Sequence, residues 1–270
     1  MAIDGLSGIK HIIPVASGKG GVGKTTVTVN LALALQKRGA RVGIFDADVY
    51  GPNVPLMLGV HQRQHSRNSY VTVARRPGSG SSVKPVERFG LKVFSMGLLI
   101  GEAQAINPPP DTVGQIVVST LREVVWGELD YLLVDMPPSS GQPQEDLIQQ
   151  IPLSGVIIVT TPQDLSLLDA GRSFQLFKKA KVPVLGLVEN MSYFICPDCG
   201  GRHEIFRRAN HVTADFLQKA PLLGRIPLAP AISQGINQAS PIVHQEPEGA
   251  QSQALFDIAA ELERTLAENG

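Results

Sequence analysis

A glycine-rich loop near the start of the chain constrains the fold more than any other sequence feature. Residues 18–26 read Gly-Lys-Gly-Gly-Val-Gly-Lys-Thr-Thr, which satisfies the spacing G-x-x-x-x-G-K-[ST] of a phosphate-binding loop. Residues 10–16 before it have the composition of a buried strand, and residues 27–37 after it repeat apolar side chains at helical spacing. A strand, this loop and a helix in that order predict an α/β domain that binds a nucleotide.

Each residue type in the loop has a physical role at its position. The glycines allow backbone conformations that a Cβ would forbid, so that successive N–H groups can point at phosphate oxygens. Lys24 is expected to reach the β- and γ-phosphates of ATP, and the Thr25 hydroxyl is expected to bind Mg²⁺. The predicted nucleotide-binding residues of the loop are Gly20, Gly21, Val22, Gly23, Lys24, Thr25 and Thr26.

A second lysine, Lys19, directly follows the first glycine of the loop. Because Lys24 already serves the phosphates, a second buried cation needs its own anion or carries a large desolvation cost. A phosphate bound to another subunit meets that need, whereas the alternative is a solvated surface lysine. The loop resembles the deviant Walker A signature of the Min-type, Par-type and nitrogenase-iron-protein ATPases. In those proteins two subunits face each other across two nucleotides and this lysine crosses over, which makes Lys19 a predicted catalytic residue.

Length and charge limit the classes of protein to consider. A chain of 270 residues with 43% hydrophobic content fits one large domain, residues 1–270, better than two. Lys and Arg total 24, as do Asp and Glu, so bulk charge draws the protein neither to nucleic acid nor to an anionic membrane. The sequence contains neither a secretion signal nor an apolar run of the ~18 residues that span a bilayer. With two cysteines in the chain, we expect a reducing, cytoplasmic location.

Apolar runs alternate with helical stretches along the rest of the chain. This alternation predicts a doubly wound, mostly parallel sheet flanked by helices, in which ligands gather at the carboxyl ends of the strands. Residues 249–268 predict one closing helix with an apolar face. The predicted strands after the loop are residues 41–45, 91–95, 131–134, 156–160 and 184–188.

Residues 61–92 differ from their surroundings. They carry seven arginines and lysines against the single acid Glu87, and residues 78–82 are all glycine or serine. Such a basic insertion can contact nucleic acid, but few aromatic side chains interleave with its charges. A mobile, solvated loop is therefore the favoured interpretation, and nucleic acid is not an expected partner.

Carboxylates follow two of the predicted strands. Asp46 and Asp48 end the second strand, and an extended chain places alternate side chains on the same side, so we expect both to face the nucleotide. The resemblance assigns Asp48 to positioning the attacking water and Asp46 to the metal shell, while the alternative is that Asp46 caps the following turn. Asp135 ends an apolar strand as a Walker B carboxylate does, and is expected at the Mg²⁺ shell. Asn190 offers adenine an amide donor and acceptor.

The two cysteines form a Cys-x-x-Cys knuckle. In Cys196-Pro-Asp-Cys199-Gly-Gly the proline and glycine favour a tight turn that directs both thiolates to one side. Zinc or an iron–sulfur cluster normally takes four protein ligands, so a copy of the pair related by a two-fold axis completes the set most simply. His203 is a possible third ligand. A redox role is the other alternative, although redox pairs usually open a helix.

Several motifs in order resemble the Mrp/ApbC-type iron–sulfur cluster carrier ATPases over roughly residues 9–268. The resemblance implies a homodimer that binds ATP, holds a 4Fe-4S cluster between paired Cys196 and Cys199, and passes it to apo iron–sulfur proteins alongside other cluster-assembly proteins. It also implies that Asn190 contacts adenine. The motifs that carry it are residues 18–26, 46–53, 126–131, 161–164 and 188–194 together with the two cysteines.

This chain departs from the family pattern at three places. Residues 139–142 read Ser-Ser-Gly-Gln where Gly-Thr-Gly-Asp is usual, residues 106–110 replace a common Trp-Arg-Gly-Pro segment, and Asn237 replaces an Asp near the base. Slow hydrolysis is expected. Two other functions remain open, namely a Min- or Par-type spatial-organisation ATPase, and an ATPase dimer clamped by structural Zn²⁺.

Overall fold

A computed structural model describes residues 5–60, 83–99, 110–137, 141–196, 198–206 and 220–269. Its centre is an eight-stranded sheet with the strand order β10-β7-β6-β1-β5-β2-β4-β3, and a separate two-stranded hairpin pairs β8 with β9. The strands are β1 (Ile9–Ala16), β2 (Val42–Asp46), β3 (Val86–Arg88), β4 (Leu91–Ser95), β5 (Leu129–Asp135), β6 (Val156–Thr160), β7 (Val184–Glu189), β8 (Phe194–Ile195), β9 (Arg202–His203) and β10 (Leu222–Arg225).

Helices cover both faces of the sheet, as the alternation of apolar runs predicted. None of the helices in the described ranges is long and apolar enough to cross a bilayer. The helices are α1 (Lys24–Lys37), α2 (Val54–Leu58), α3 (Pro110–Glu123), α4 (Gln142–Gln150), α5 (Asp164–Lys179), α6 (Pro230–Asn237), α7 (Ile242–Gln245) and α8 (Ala250–Asn269).

The sheet is doubly wound and mostly parallel, which confirms the predicted fold class. All its described pairings are parallel except the edge pair β3 and β4. The chain winds outward from β1 toward β4 on one side, returns to β5, and then crosses to β6 on the other side of β1. The order reverses at β1, and such a switch point opens a crevice at the carboxyl ends of the strands. The loop at residues 18–23 follows β1 into this crevice.

Two apolar layers hold the sheet between its helices. The central strands are buried on both faces, so β6 reads as an uninterrupted apolar run, Val-Ile-Ile-Val, before its terminal threonine. One layer packs α1 and α8 against the sheet, and the other packs α3 and α5 against the opposite face, in a cluster that includes the fully buried Trp126. The predicted face of the last helix is confirmed because its side chains are all buried: Leu255, Ile258, Ala259, Leu262 and Leu266.

The edge of the sheet overlaps the predicted basic insertion. Residues 61–82 lie outside the described residues, and so does the predicted mobile loop there. Val86–Arg88 forms β3, and Leu91 begins β4, so the last part of the predicted insertion belongs to the sheet edge. Arg88 is exposed, but it lies on β3 and not on a loop, and its Nε donates to the Leu58 carbonyl at 3.0 Å.

Candidate functional site

The phosphate-binding loop joins β1 to α1 in the crevice at the switch point. Gly21 and Gly23 adopt φ values of 82° and 83°, the left-handed region that glycine enters at little cost. Gly23 is the residue before α1, so the predicted helix follows the loop directly and begins at Lys24. The positive end of the helix dipole therefore lies at the loop, where it favours a bound phosphate.

Asp135 joins three side chains of α1 at the base of the loop. Its Oδ1 lies 2.7 Å from Lys24 Nζ and accepts a hydrogen bond from Thr28 Oγ1 at 2.9 Å. Its Oδ2 accepts one from Thr25 Oγ1 at 2.7 Å. Lys24 and Asp135 are both buried, so water cannot solvate either charge in place of its partner. The predicted Walker B carboxylate therefore meets both the lysine and the threonine of the loop.

The expectation that Asp46 and Asp48 face the nucleotide together is wrong for Asp46. Asp46 is fully buried, and its carboxylate accepts from Ser95 Oγ at 2.9 Å, from the Asp48 N–H at 3.1 Å and from the Val54 N–H at 3.3 Å. The reason is that β2 ends at Asp46, so the alternation of an extended chain does not continue to Asp48. Asp46 thus holds the loop that follows β2, which agrees with the capping alternative, and its place in the metal shell stays a prediction.

Burial and the nearby charge of Asp135 raise the pKa of Asp46 to about 8. Its carboxyl therefore keeps a proton in the ligand-free protein over a range where the unfolded chain has already lost it. Because the folded state binds the extra proton, the free energy of unfolding should fall as pH rises from about 4 to about 8, with a slope of up to about 1.4 kcal/mol per pH unit.

Asp46→Asn has no proton to lose, so its stability should depend on pH less steeply than that of the parent protein. The test is urea unfolding between about pH 5 and about pH 8 without magnesium or nucleotide. Asp130→Asn is the control, because its ion pair with Arg41 holds the pKa of Asp130 at about 2, below this range. Identical slopes for the parent protein and Asp46→Asn would contradict the protonated state of Asp46.

A cavity of about 380 Å³ opens above the loop. Asp48 is the predicted carboxylate that lines it, and its Oδ1 accepts from the N–H groups of Tyr50 and Gly51 at 3.2 and 3.0 Å. These bonds fix the carboxylate at the edge of the space that a triphosphate would fill. The predicted site residues that line the cavity are Lys19, Gly20, Gly21, Gly23, Lys24, Thr25, Thr26 and Asp48.

Lys19 lies at the mouth of this cavity and is half-buried. Its carbonyl accepts from Ser17 Oγ at 3.0 Å, which fixes the backbone beside it. Within the described ranges, the Lys19 ammonium has no carboxylate within ion-pair distance, whereas Lys24 has Asp135. The arrangement leaves Lys19 available for an anion from outside the chain.

Asn190 lies behind the loop instead of lining the cavity. It follows β7, is buried, and its Nδ2 donates to the Val22 carbonyl at 2.8 Å. The Val22 side chain packs into the apolar core. A Cβ at Gly23 would lie 2.3 Å from Asn190 Nδ2, so this approach also requires glycine at position 23. The structure thus places Asn190 against the loop backbone, and its contact with adenine stays a prediction.

The cysteine knuckle forms the turn of the β8–β9 hairpin. The Cys196 N–H donates to the Gly201 carbonyl at 2.9 Å, and the Gly200 N–H donates to the Cys196 carbonyl at 2.9 Å. Gly200 takes a φ of 69°, which closes the turn. Cys196 is half-buried, Cys199 is exposed, and both are free thiols. The predicted tight turn is confirmed, and it presents both sulfur atoms near the surface.

Hydrogen bonds inside the turn favour the thiolate form of one of these thiols. The backbone N–H groups of Cys199 and Asp198 lower the pKa of Cys196, because they stabilise its thiolate. A Cβ added at Gly201 would lie 3.2 Å from Cys199 Sγ and 3.3 Å from His203 Nε2, so these two side chains approach the same point. His203 is therefore near the knuckle, although no group of three metal-ligating side chains is assembled within the described residues.

The sequence reasoning missed three residues that support the site. Thr28 lies four residues after Lys24 on α1, so helical spacing alone places it on the same face. Ser95 ends β4 beside Asp46, and its pairing with β2 follows only from the strand order. Ile236 of α6 lines the cavity, next to Asn237, where the family pattern has an Asp near the base. Of the other departures from the family pattern, residues 106–109 and 139–140 lie outside the described residues.

Fold and loop together define the class of protein: a P-loop NTPase, with a phosphate loop after β1 and a carboxylate at the end of β5. A family model described as ParA: NUBPL iron-transfer P-loop NTPase matches residues 8–263. The chain belongs to this family, which confirms the resemblance found in the sequence.

Individual relatives agree with this family. A protein of Deinococcus radiodurans named iron-sulfur cluster carrier protein is 43% identical over 262 residues, which cover 97% of this chain and 70% of the relative. A nucleotide-binding protein of Archaeoglobus fulgidus in complex with ADP, with cobalt found in it, has a TM-score of 0.71 at 32% identity, covering 91% and 92% of the two chains. The Pyrococcus furiosus cell division ATPase MinD has a TM-score of 0.69 at 27% identity, covering 94% and 99%.

Proposed function

We propose that the protein is an ATP-dependent iron–sulfur cluster carrier. Two copies hold a 4Fe-4S cluster between their paired Cys196 and Cys199 residues and transfer it to apo iron–sulfur proteins, in concert with other cluster-assembly proteins. The observation that carries the proposal is a turn that presents two free thiols, half of a cluster's usual ligand set, in a chain with a complete P-loop. The name of the Deinococcus radiodurans relative supports the same activity. Free thiols favour a reducing compartment such as the cytoplasm.

ATP is the proposed nucleotide, and the cavity above the loop is its site. When a triphosphate enters, Lys24 exchanges part of its contact with Asp135 for the β- and γ-phosphates. The backbone N–H groups of residues 20–26 bind the remaining phosphate oxygens. Since Lys24 must give up part of its contact with a buried carboxylate, nucleotide binding weakens the ion pair between Lys24 and Asp135.

The donor set at the base of the loop fits Mg²⁺. The Thr25 hydroxyl and the Asp135 carboxylate lie 2.7 Å apart, and Mg²⁺ prefers oxygen ligands of this kind. We assign Thr25 to direct coordination and Asp135 and Asp46 to the surrounding shell. Bound Mg²⁺ would neutralise charge on the phosphates during transfer. Its positive charge would also offset the negative charge of Asp135, which raises the pKa of Asp46.

Asp48 and Lys19 are the proposed catalytic groups besides Lys24. Asp48 lies at the cavity wall, where its carboxylate can orient the attacking water. Lys19 of each subunit reaches the phosphates bound by its partner, since a cation opposite the developing charge accelerates phosphoryl transfer. Hydrolysis is slow in this proposal, and the nucleotide state controls how the dimer exposes the cluster.

Asn190 is the proposed adenine contact. To reach the base, its amide gives up or shares the hydrogen bond to the Val22 carbonyl, so base binding would move the loop and β7 together. We expect Asn190→Ala to reduce the preference for ATP over GTP by roughly tenfold, the effect of about one lost hydrogen bond pair. Competition of ATP and GTP for a fluorescent nucleotide measures this. An unchanged ratio in the variant, with both affinities intact, would refute the adenine role.

Cluster transfer is the direct test of the carrier activity. Protein reconstituted with iron and sulfide without oxygen is mixed with an apo-protein that needs a 4Fe-4S cluster, and the recipient's recovered activity is followed over time. We expect transfer to be faster than from free iron and sulfide at the same concentrations. A rate equal to that of free iron and sulfide would contradict the proposal.

The MinD likeness favours one second candidate, a spatial-organisation ATPase. It shares the P-loop, Lys19 and the carboxylates, but it leaves the cysteine turn without a role. Retention on DNA that weakens with salt would favour it. Zinc in place of a cluster is the remaining alternative for the cysteines, and the two are separated by sulfide, because a structural zinc site holds none.

A further inference from the structure

A second cleft, of about 690 Å³, lies beside the cysteine hairpin and outside the nucleotide cavity. One wall is strand β9 of the hairpin, and the floor is the carboxyl edge of β7 and β10. Charged and polar side chains line most of it, in contrast to the apolar pockets that bind flat cofactors. The residues used below are Glu189, Ser192, Arg202, Glu204 and Arg225.

The floor of the cleft is a satisfied, buried ion pair. Glu189 is 4% exposed, and its Oε1 accepts from Ser192 Oγ at 2.5 Å and from Arg225 Nε at 3.1 Å. Arg225 contacts Glu189 through Nε and its side chain is half-exposed, so this contact does not use its two terminal nitrogens. Among the described residues, no second carboxylate pairs with those nitrogens. The floor therefore presents guanidinium donors to anything that enters.

Arg202 adds a second guanidinium on the wall formed by the hairpin. Its Cζ lies 3.7 Å from the centre of the Tyr193 ring, a stacked position that fixes the plane of the group. In the part of the chain that the structure describes, Arg202 has no ion-pair partner either. Arg202 lies three residues after Cys199 in the sequence, so the cleft and the thiols share one short hairpin.

We propose that this cleft binds a carboxylate side chain of an acidic segment on the protein that receives the cluster. A guanidinium offers paired N–H donors that match the two oxygens of a carboxylate. A cleft of this volume holds several residues of a peptide, more than a lone ion requires. An acidic segment bound here would hold the recipient's own cysteines next to Cys196 and Cys199. The identification of the partner as the cluster recipient rests on the proposed carrier function, whereas the binding of an acidic segment to the cleft does not.

The acids in the cleft favour a carboxylate over a phosphate. Two arginines and two glutamates line the cleft, and Glu189 is already paired with Arg225, so the lining has no excess of positive charge to offer a dianion. A single negative charge suffers less repulsion and still satisfies the Arg202 fork. Phosphate is therefore an outcome of the test that counts against the proposal.

The binding test uses the reduced protein without cluster or nucleotide. The probe is a fluorescein-labelled hexapeptide of alternating glutamate and glycine, and its matched control replaces each glutamate by glutamine. We expect the acidic peptide to bind and the neutral one to bind far more weakly.

Arg202→Gln should weaken binding of the acidic peptide by roughly fivefold, the scale of one exposed charge-assisted contact. Arg202→Glu should remove binding, because it reverses the charge. Arg172→Glu is the control, since Arg172 is an exposed arginine of α5 outside the cleft.

Three outcomes would overturn the proposal. They are equal affinity for the acidic and neutral peptides, equal affinity in the parent protein and Arg202→Glu, and inorganic phosphate that displaces the peptide at lower concentration than acetate does. Because the assay contains no cluster, its failure leaves the carrier function intact. Conversely, a protein that binds the peptide but never assembles a cluster would disprove the carrier function and keep the cleft.

Discussion

Replacing both cysteines of the knuckle with serine is expected to remove nearly all the iron and sulfide that the parent protein holds after anaerobic reconstitution. Cys196 and Cys199 are the two cysteines of the chain, so the variant has lost every thiolate ligand it can offer. A serine hydroxyl stays protonated near neutral pH and does not replace a thiolate in a cluster. Each single variant should also lose the cluster, because two of its four ligands disappear from the proposed dimer. The measurement is iron and acid-labile sulfide per chain, with the visible absorbance of the cluster.

A matched control lies on the same hairpin. Glu204→Gln changes an exposed side chain close to the knuckle and leaves both thiols in place, so it should hold as much iron as the parent protein. ATP binding should survive in every cysteine variant, because the P-loop lies on α1 and β1. If the double serine variant keeps the parent amount of iron and sulfide, the knuckle is not the cluster site.

Lys24→Ala is expected to weaken ATP binding by at least about 100-fold, because truncating a buried charge partner costs about 3 kcal/mol or more. The same change leaves Asp135 without its cation at 2.7 Å, beside the protonated Asp46. The uncompensated buried carboxylate should then destabilise the fold by several kcal/mol. Binding of a fluorescent ATP analogue and urea unfolding must therefore be measured on the same preparation. A well-folded variant that binds ATP as the parent does would contradict the role of Lys24.

Lys19→Ala separates binding from turnover. Because Lys19 has no ion-pair partner among the described residues and acts on the other subunit's nucleotide in our proposal, ATP affinity should change little while hydrolysis slows by at least about tenfold. Lys37→Ala is the matched control, since Lys37 is an exposed lysine in the last turn of α1. The rate constant for phosphate release under saturating ATP is the measurement. Equal rates in Lys19→Ala and the parent protein would refute the cross-subunit role.

The sequence alone predicted those parts of the fold that depend on local pattern. Strands β4 and β6 begin and end at the predicted residues, and β6 in particular is an apolar run that begins directly after a glycine. The start of α1 followed from glycine spacing, and the turn at Cys196 from the positions of proline and glycine. Asp135 could be assigned because its strand delivers it directly to the P-loop.

The parts that could not be predicted depend on distant contacts. Whether Asp46 or Asp48 faces the nucleotide depends on where β2 ends, and alternation cannot locate that end. Ser95 supports Asp46 only because β4 pairs with β2, a pairing 49 residues apart in the chain. Asn190 reaches the Val22 carbonyl across 168 residues. Contacts of this kind follow from the strand order, which no local pattern encodes.

The most direct test of the central claim is the mass of the reconstituted protein, measured without oxygen on the same sample that is analysed for iron and sulfide. With ATP and iron present, the account predicts a species of twice the 28.9 kDa chain mass. It should carry about four iron and four sulfide atoms per pair of chains, as a Cys₄-bound 4Fe-4S cluster requires. A protein that stays at the mass of one chain under these conditions, or that carries zinc without sulfide, would contradict it.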